Sequence, residues 1–262
     1  MSFFTSAHDF SIHSATIQNA QTINVHNNTH PPSQNPIEIL DRARAVEATH
    51  RSATAELAPK CNPRTRKQVL NDLIEWISAS GSPRRSILLF DGPAGAGKTC
   101  IMREIASQCE QQGIQVLSYF FSTRGIGLDT ERPFIATIAH QLATTSPQLS
   151  KPIAEAVARN PTILREGLQA QLQSLILKPV SDSSYAGRIL VVVDGLDECR
   201  EEGRVHVLHI LLSLTTHLPH QVLVVVASRP ELDIHTAFEL PVFRSVAQII
   251  HLHDYDVSED VR

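Results

Sequence analysis

The chain has 262 residues, with 27 Asp and Glu against 23 Lys and Arg, a formal net charge of −4 with histidine neutral. That length suits one large domain with a sizeable core, and the charge balance lacks the basic footprint of a dedicated nucleic-acid binder. No apolar run approaches the roughly 20 residues needed to cross a bilayer, and Cys61, Cys100, Cys109 and Cys199 form no CxxC pair and have no histidine at metal spacing, so a soluble cytoplasmic protein is expected, without a zinc site or a disulfide framework.

Residues 1–36 contain no Lys or Arg and end in Pro31-Pro32 and Pro36. They read as a disordered low-complexity arm. Within it, Phe10-Ser11-Ile12-His13 and Thr22-Ile23-Asn24-Val25-His26 alternate apolar and polar residues, a strand period in a segment with almost no charge. Residues 37–80 form a helical linker: Ile37, Leu40, Ala43 and Val46 mark one apolar face. A second helix starts near Pro63 to Thr65, runs through Val69, Leu73 and Ile77, and stops near Gly81-Ser82-Pro83.

The apolar run Ser86 to Phe90 predicts a strand, and Gly92-Pro93-Ala94-Gly95-Ala96-Gly97-Lys98-Thr99 after it reads GxxxxGKT before a helical stretch from Cys100 to Gln112. This is a phosphate-binding P-loop in its required context. Its glycines leave backbone N–H groups free to wrap an anion, and the following helix aims its positive end at the same place. Lys98 is the candidate for the β and γ phosphates, Thr99 for Mg2+, and Gly92 through Cys100 for the nucleotide as a whole.

A β-branched and aromatic run from Ile114 to Phe121 predicts the next strand. Helices are expected over Glu131–Thr145, Leu149–Arg159, Leu164–Leu177 and Val205–Leu218. Further strands are expected at Ile189–Val193, Val222–Val226 and Val246–Leu252. Continuous apolar strands alternating with helices predict an α/β P-loop NTPase fold over residues 81–253, a mainly parallel doubly wound sheet with flanking helices.

The run Leu190 to Glu198, LVVVDGLDE, places Asp194 where a P-loop protein holds Mg2+, with Asp197 and Glu198 just beyond as alternative general bases. Gly195 lets the chain turn close to the phosphates. Val222 to Ala227 runs into Ser228-Arg229-Pro230, so Arg229 either reaches the γ-phosphate or forms a surface ion pair with Glu231 or Asp233. Arg124 and Arg132 are candidates for reaching a neighbouring subunit. His206, His209, His217 and His220 share no spacing with a carboxylate or cysteine and read as surface residues.

These blocks, GPAGAGKT, LVVVDGLDE and VVVASRPE (Val224 to Glu231), resemble those of NACHT-type (STAND) signalling NTPases. They look most like the large fungal group with a nephrocystin-3-like nucleotide domain. Tyr119 to Ser122, Arg132 to Ala143, and Cys61 to Arg66 before a helix containing Trp76 extend the resemblance from about residue 37 onward. It implies an ATP/ADP-binding, Mg2+-dependent switch with slow hydrolysis, Walker A at Gly92–Thr99, Walker B at Asp194 and a sensor arginine at Arg229. It also implies self-association of NTPase domains, assisted by the N-terminal arm, in fungal innate-immunity or heteroincompatibility-like signalling. The base would lie near Cys61 to Arg66, with Pro63 or Thr65 lining it. Relatives continue past the segment resembling residues 254–262 into further domains, so this stretch reads as the start of a truncated extension.

The competing readings are a non-hydrolysing nucleotide-binding interaction protein, and a P-loop kinase or motor. The motor lacks a basic groove with stacking aromatics. No guanine-reading NKxD motif follows the core strands, which favours adenine nucleotides.

Overall fold

The structure, a computed structural model, describes residues 35–53, 66–79 and 85–255. Residues 1–34 of the expected N-terminal arm, the Cys61–Thr65 linker and the segment after Tyr255 lie outside the described residues, while Asn35 and Pro36, the last two residues of that arm, cap and begin a helix. Strands β1 (Ile87–Asp91), β2 (Gln115–Phe120), β3 (Ile189–Asp194), β4 (Val222–Ser228) and β5 (Ala247–His251) form one sheet in the order β2-β3-β4-β1-β5. Every pairing in it is parallel.

Helices α1 (Pro36–Ala43) and α2 (Lys67–Ser78) precede β1, and α3 (Lys98–Gln111) joins β1 to β2. Between β2 and β3 come α4 (Phe134–Thr145), α5 (Pro147–Arg159), α6 (Leu168–Leu172) and α7 (Lys178–Asp182). Helix α8 (Glu201–His217) connects β3 to β4, and α9 (Leu232–Glu239) with α10 (Pro241–Arg244) connects β4 to β5. Among the described residues no helix is long and apolar enough to cross a membrane.

Strand side chains alternate between faces, so each apolar run feeds two cores. Ile87, Leu89, Val191, Val193, Val224 and Val226 pack with α1, α4, α5 and α8 on one face. Leu88, Phe90, Leu190, Val192 and Val225 pack on the other with Val69, Leu73 and Ile77 of α2 and Ile101, Met102 and Ile105 of α3. This two-sided burial explains why the strands read as unbroken apolar runs.

The helix expected over Leu164–Leu177 is displaced. A 3-10 turn at Ile163–Arg165 is followed by extended Glu166 and Gly167, and the helix begins only at Leu168. It passes through a π-turn at Gln173–Leu177 into α7, with Lys178 N–H donating to the Gln173 carbonyl. Pro179, next in sequence, has no N–H for the ordinary helical bond, and such a gap favours the wider turn. Helix α4 starts at Phe134 rather than Glu131, because Pro133 stands at its N-cap and biases Arg132 before it away from helical angles. Helices α9 and α10 escaped the periodicity because they are only eight and four residues long.

Strand β2 lies at one end of the sheet order, and its outer side is fastened by side chains. Ser118 N–H donates to Gln141 Oε1 at 3.0 Å, and Gln141 Nε2 donates back to the Ser118 carbonyl at 2.9 Å. His50 N–H donates to Ser118 Oγ at 3.0 Å, and His50 Nε2 lies 3.1 Å from Glu110 Oε1. The Ser–His–Glu series has the spacing of a catalytic relay, but Ser118 is fully buried, so its role is to attach the N-terminal segment to the sheet.

Leu40 of α1 is fully buried in the core shared with β1 and β3. Leu40→Ala should therefore cost about 2–5 kcal/mol of unfolding free energy. Urea denaturation should show one transition with an unchanged slope, whereas a separate early transition would mean that α1 docks independently of the sheet.

Candidate functional site

The sheet order sets β3, β4 and β1 side by side, so Asp194, Arg229 and the loop after Asp91 emerge at one edge. That carboxyl edge is where parallel α/β sheets bind ligands. Gly92, Pro93, Ala94, Gly95, Ala96 and Gly97 form the loop, and α3 starts at Lys98, with Thr99 and Cys100 in its first turn. Gly97 stands at the N-cap with φ 89°, a left-handed conformation that a Cβ would strain.

Lys98 Nζ donates to the carbonyls of Gly92 at 2.6 Å and Pro93 at 3.0 Å. Burial lowers the pKa of its ammonium, while the nearby Asp197 and Asp194 carboxylates oppose that shift. Asp194 is 4% exposed, and burial raises its pKa to about 6, against a hydrogen bond from Thr99 and the charges of Lys98 and Arg103. A buried carboxylate beside a hydroxyl at the start of a helix suits a hard divalent cation that keeps several waters, as Mg2+ does.

The two acids beyond β3 have different partners. The Asp197 side chain is only 5% exposed, and its Oδ1 accepts the Arg229 backbone N–H at 2.9 Å while its Oδ2 meets Arg229 Nε at 2.9 Å. Glu198 Oε2 accepts from Thr123 N–H at 2.9 Å and Thr123 Oγ at 3.2 Å, which ties this turn to the loop after β2. Gly195, at φ 68°, begins the turn that carries both acids, and a Cβ there would approach the Phe121 carbonyl at 3.0 Å. Arg229 therefore pairs with Asp197 and not with Glu231 or Asp233. Asp233 is held by Arg204 Nη1 at 3.0 Å, and Arg204 Nη2 also donates to the Asp197 carbonyl at 2.6 Å.

Lys98, Thr99, Asp194, Asp197 and Arg229 thus share one electrostatic environment, and Glu198 stands at its margin. Arg132 lies elsewhere, lining a cleft of about 880 Å³ with Glu166, Gln169, His206 and His209. A second, open cavity of about 500 Å³ borders the P-loop at Pro93 and Ala96 and is also lined by Arg66, Leu252, His253 and Tyr255. Arg66 Nη2 donates to the Ala96 carbonyl at 3.3 Å, and Tyr255 Oη donates to Asp72 at 2.9 Å.

Sequence reasoning missed Asp91, the last residue of β1. Its carboxylate is buried between two imidazoles, with Oδ1 2.7 Å from His251 Nδ1 and Oδ2 2.8 Å from His235 Nε2. The available signal was a charged residue closing a buried apolar strand immediately before Gly92.

The family described as "Nephrocystin 3, N-terminal" matches residues 64–229. No curated protein matches the chain. Among solved structures it is similar to the Aeropyrum pernix ORC1 protein in complex with DNA, at 18% identity over 82% of this chain and 48% of that one, with a TM-score of 0.42. It is also similar to a Walker-type ATPase of Pyrococcus abyssi, at 14% identity over 75% of this chain and 56% of that one, TM-score 0.48. AMPPCP-bound DnaA from Aquifex aeolicus shows 12% identity over 71% and 44%, TM-score 0.33. The chain spans about half the length of these three.

Asp194 yields a test of its environment. Its folded pKa of about 6 exceeds its ordinary 3.8, so the folded state binds the proton more tightly, and stability is lost as pH rises from about 4 through 6. The buried charge should cost roughly 1–3 kcal/mol at neutral pH. Asp194→Asn should therefore raise the melting temperature of the ligand-free chain at pH 7.5 and flatten the slope between pH 4 and 6. A lower melting temperature with an unchanged slope would show that the carboxylate is well compensated.

Proposed function

Because the chain belongs to the nephrocystin 3 N-terminal family, we propose that it binds an adenine nucleoside triphosphate with Mg2+ and works as a nucleotide-dependent switch of the STAND type. The observation that carries this reading is the meeting of Lys98 and Thr99 at the P-loop with buried Asp194 on β3. The loop and helix N-terminus would hold the phosphates, and Lys98 would exchange the Gly92 and Pro93 carbonyls for the β and γ phosphates. Thr99 and Asp194 would hold Mg2+, which neutralises phosphate charge when bound.

The cavity beside Pro93 and Ala96 suits a base and its sugar, since ligand pockets run from about 300 to 1,000 Å³. That reading moves the base-lining residues to Arg66 and the Leu252–Tyr255 turn. Pro63 and Thr65, proposed from resemblance, fall outside the described residues.

Both carboxylate oxygens of Asp197 face Arg229, whereas Glu198 Oε1 has no hydrogen bond among the described residues. Glu198 is thus the better candidate to orient an attacking water, and Asp197 the better candidate to position Arg229. A γ-phosphate would compete with Asp197 for that guanidinium, which gives the site a means to tell triphosphate from diphosphate. Slow turnover, and self-association favoured by one nucleotide state, follow from this reading.

The test is Mg2+-dependent binding of ATP, dATP and GTP to the full chain and to Lys98→Ala, with phosphate release followed in the same samples. Loss of one charge-assisted contact worth about 1.5–3 kcal/mol should weaken ATP binding by roughly 10- to 100-fold. Equal binding by both proteins would overturn the site, and rapid multiple turnover would overturn the switch. Glu198→Gln should retain ATP affinity and lose most of the residual phosphate release. Unchanged release in that variant would return the base role to Asp197.

A further inference from the structure

We propose that Asp91, His251 and His253 bind a borderline-soft divalent transition-metal ion, Zn2+ foremost, beside the P-loop, with His235 as a positioning residue for the Asp91 carboxylate. The Asp91, His251 and His253 groups each offer a ligand atom, and these atoms lie within 4.8 Å of one another. The sequence-based expectation of no zinc rested on cysteines and local spacing. This cluster is assembled by sheet register, since Asp91 on β1 lies opposite His251 on β5.

The Asp91 side chain is only 3% exposed, and a buried carboxylate requires cationic or hydrogen-bonding compensation. Three imidazoles converge here. His251 and His253 have ring centroids 5.2 Å apart, and the His235 and His251 rings are parallel at 6.4 Å. His235 Nε2 lies 2.8 Å from Asp91 Oδ2, yet it makes no hydrogen bond of acceptable geometry. The contact therefore aims the carboxylate without saturating it, leaving Oδ1 directed toward His251.

An N,N,O donor set of neutral imidazoles and one carboxylate favours zinc and its late first-row neighbours over Mg2+, which prefers oxygen alone. Zinc–ligand bonds of 2.0–2.1 Å in tetrahedral geometry place ligand atoms about 3.3 Å apart. The 2.7 Å between Asp91 Oδ1 and His251 Nδ1 would have to open by roughly half an ångström, with water completing the shell.

The location gives the ion a consequence. Asp91 immediately precedes Gly92, and Leu252, between the two histidines, packs so closely that a Cβ on Gly92 would stand 2.9 Å from Leu252 Cβ. An ion here would tie the end of β5 to the first residue of the phosphate loop.

The experiment is calorimetric titration of the tag-free full chain with Zn2+ in millimolar Mg2+, accompanied by Co2+ titration read through its visible ligand-field bands. One ion per chain is expected, with the intense bands of a tetrahedral N,O site. His253→Ala, at an exposed position, and His251→Ala should each weaken binding by at least the roughly 10- to 100-fold that loss of an outer-shell partner costs. His235→Asn should fall within that range, and His206→Ala, in the separate cleft, should bind as the parent does. Wild-type binding no tighter than millimolar, or His253→Ala indistinguishable from the parent, would overturn the proposal and leave the cluster as an Asp–His hydrogen-bond network. Because His253 also lines the cavity beside Pro93 and Ala96, the metal reading is judged by ion affinity alone, while the nucleotide site is judged by the Lys98→Ala comparison, which leaves Asp91, His251 and His253 intact.

Discussion

A parallel sheet packed on both faces can present polar groups only where its strands end, and the rest of this molecule follows from that constraint. Every side chain of β1, β3 and β4 is buried. Charge is consequently confined to the final residue of the strand or to the turn beyond it. Because β4 lies between β1 and β3, their ends form a continuous row from the phosphate loop to the acidic turn. No long-range coupling is needed to gather the site, since strand register alone does it.

Three buried acids stand along that row, each compensated differently. Asp194 has Thr99 and the charges of Lys98 and Arg103, and its raised pKa marks the compensation as partial. Asp197 is engaged on both oxygens by one arginine, and Asp91 is flanked by imidazoles. On the proposed reading these differences divide the labour: the incompletely compensated carboxylate would attract a cation, while the fully engaged one would hold a neighbour in place. Lys98, hydrogen-bonded to its own loop, contributes positive charge to the same edge.

Much of this was legible in the sequence for a physical reason. Strands buried on both faces cannot tolerate polar interruptions, so β1, β3 and β4 appear as apolar runs whose ends are marked by Gly92, Asp194 and Arg229. The P-loop is a local backbone device, and its spacing is visible without tertiary knowledge. What escaped depended on register or on short elements. Asp91 and His251 are separated by 160 positions and meet only because β1 pairs with β5. Arg229 was assigned a local acid as its alternative partner, but Arg204 holds Asp233, and Asp197 from the neighbouring strand's turn receives the guanidinium. The π-turn before Pro179 altered a helix that periodicity alone would have ended five residues earlier.

The amide of Gln141 also bears on how copies of this chain can meet. It occupies both backbone groups of Ser118 on the outer side of β2, in the position that a further strand would take. Sheet-to-sheet extension across that border is thereby blocked near its midpoint, which removes a common route to indiscriminate polymerisation. Any ordered assembly of this sheet-and-helix body must use side-chain surfaces there, whose fit can depend on loop positions, instead of generic backbone pairing, which would be insensitive to them.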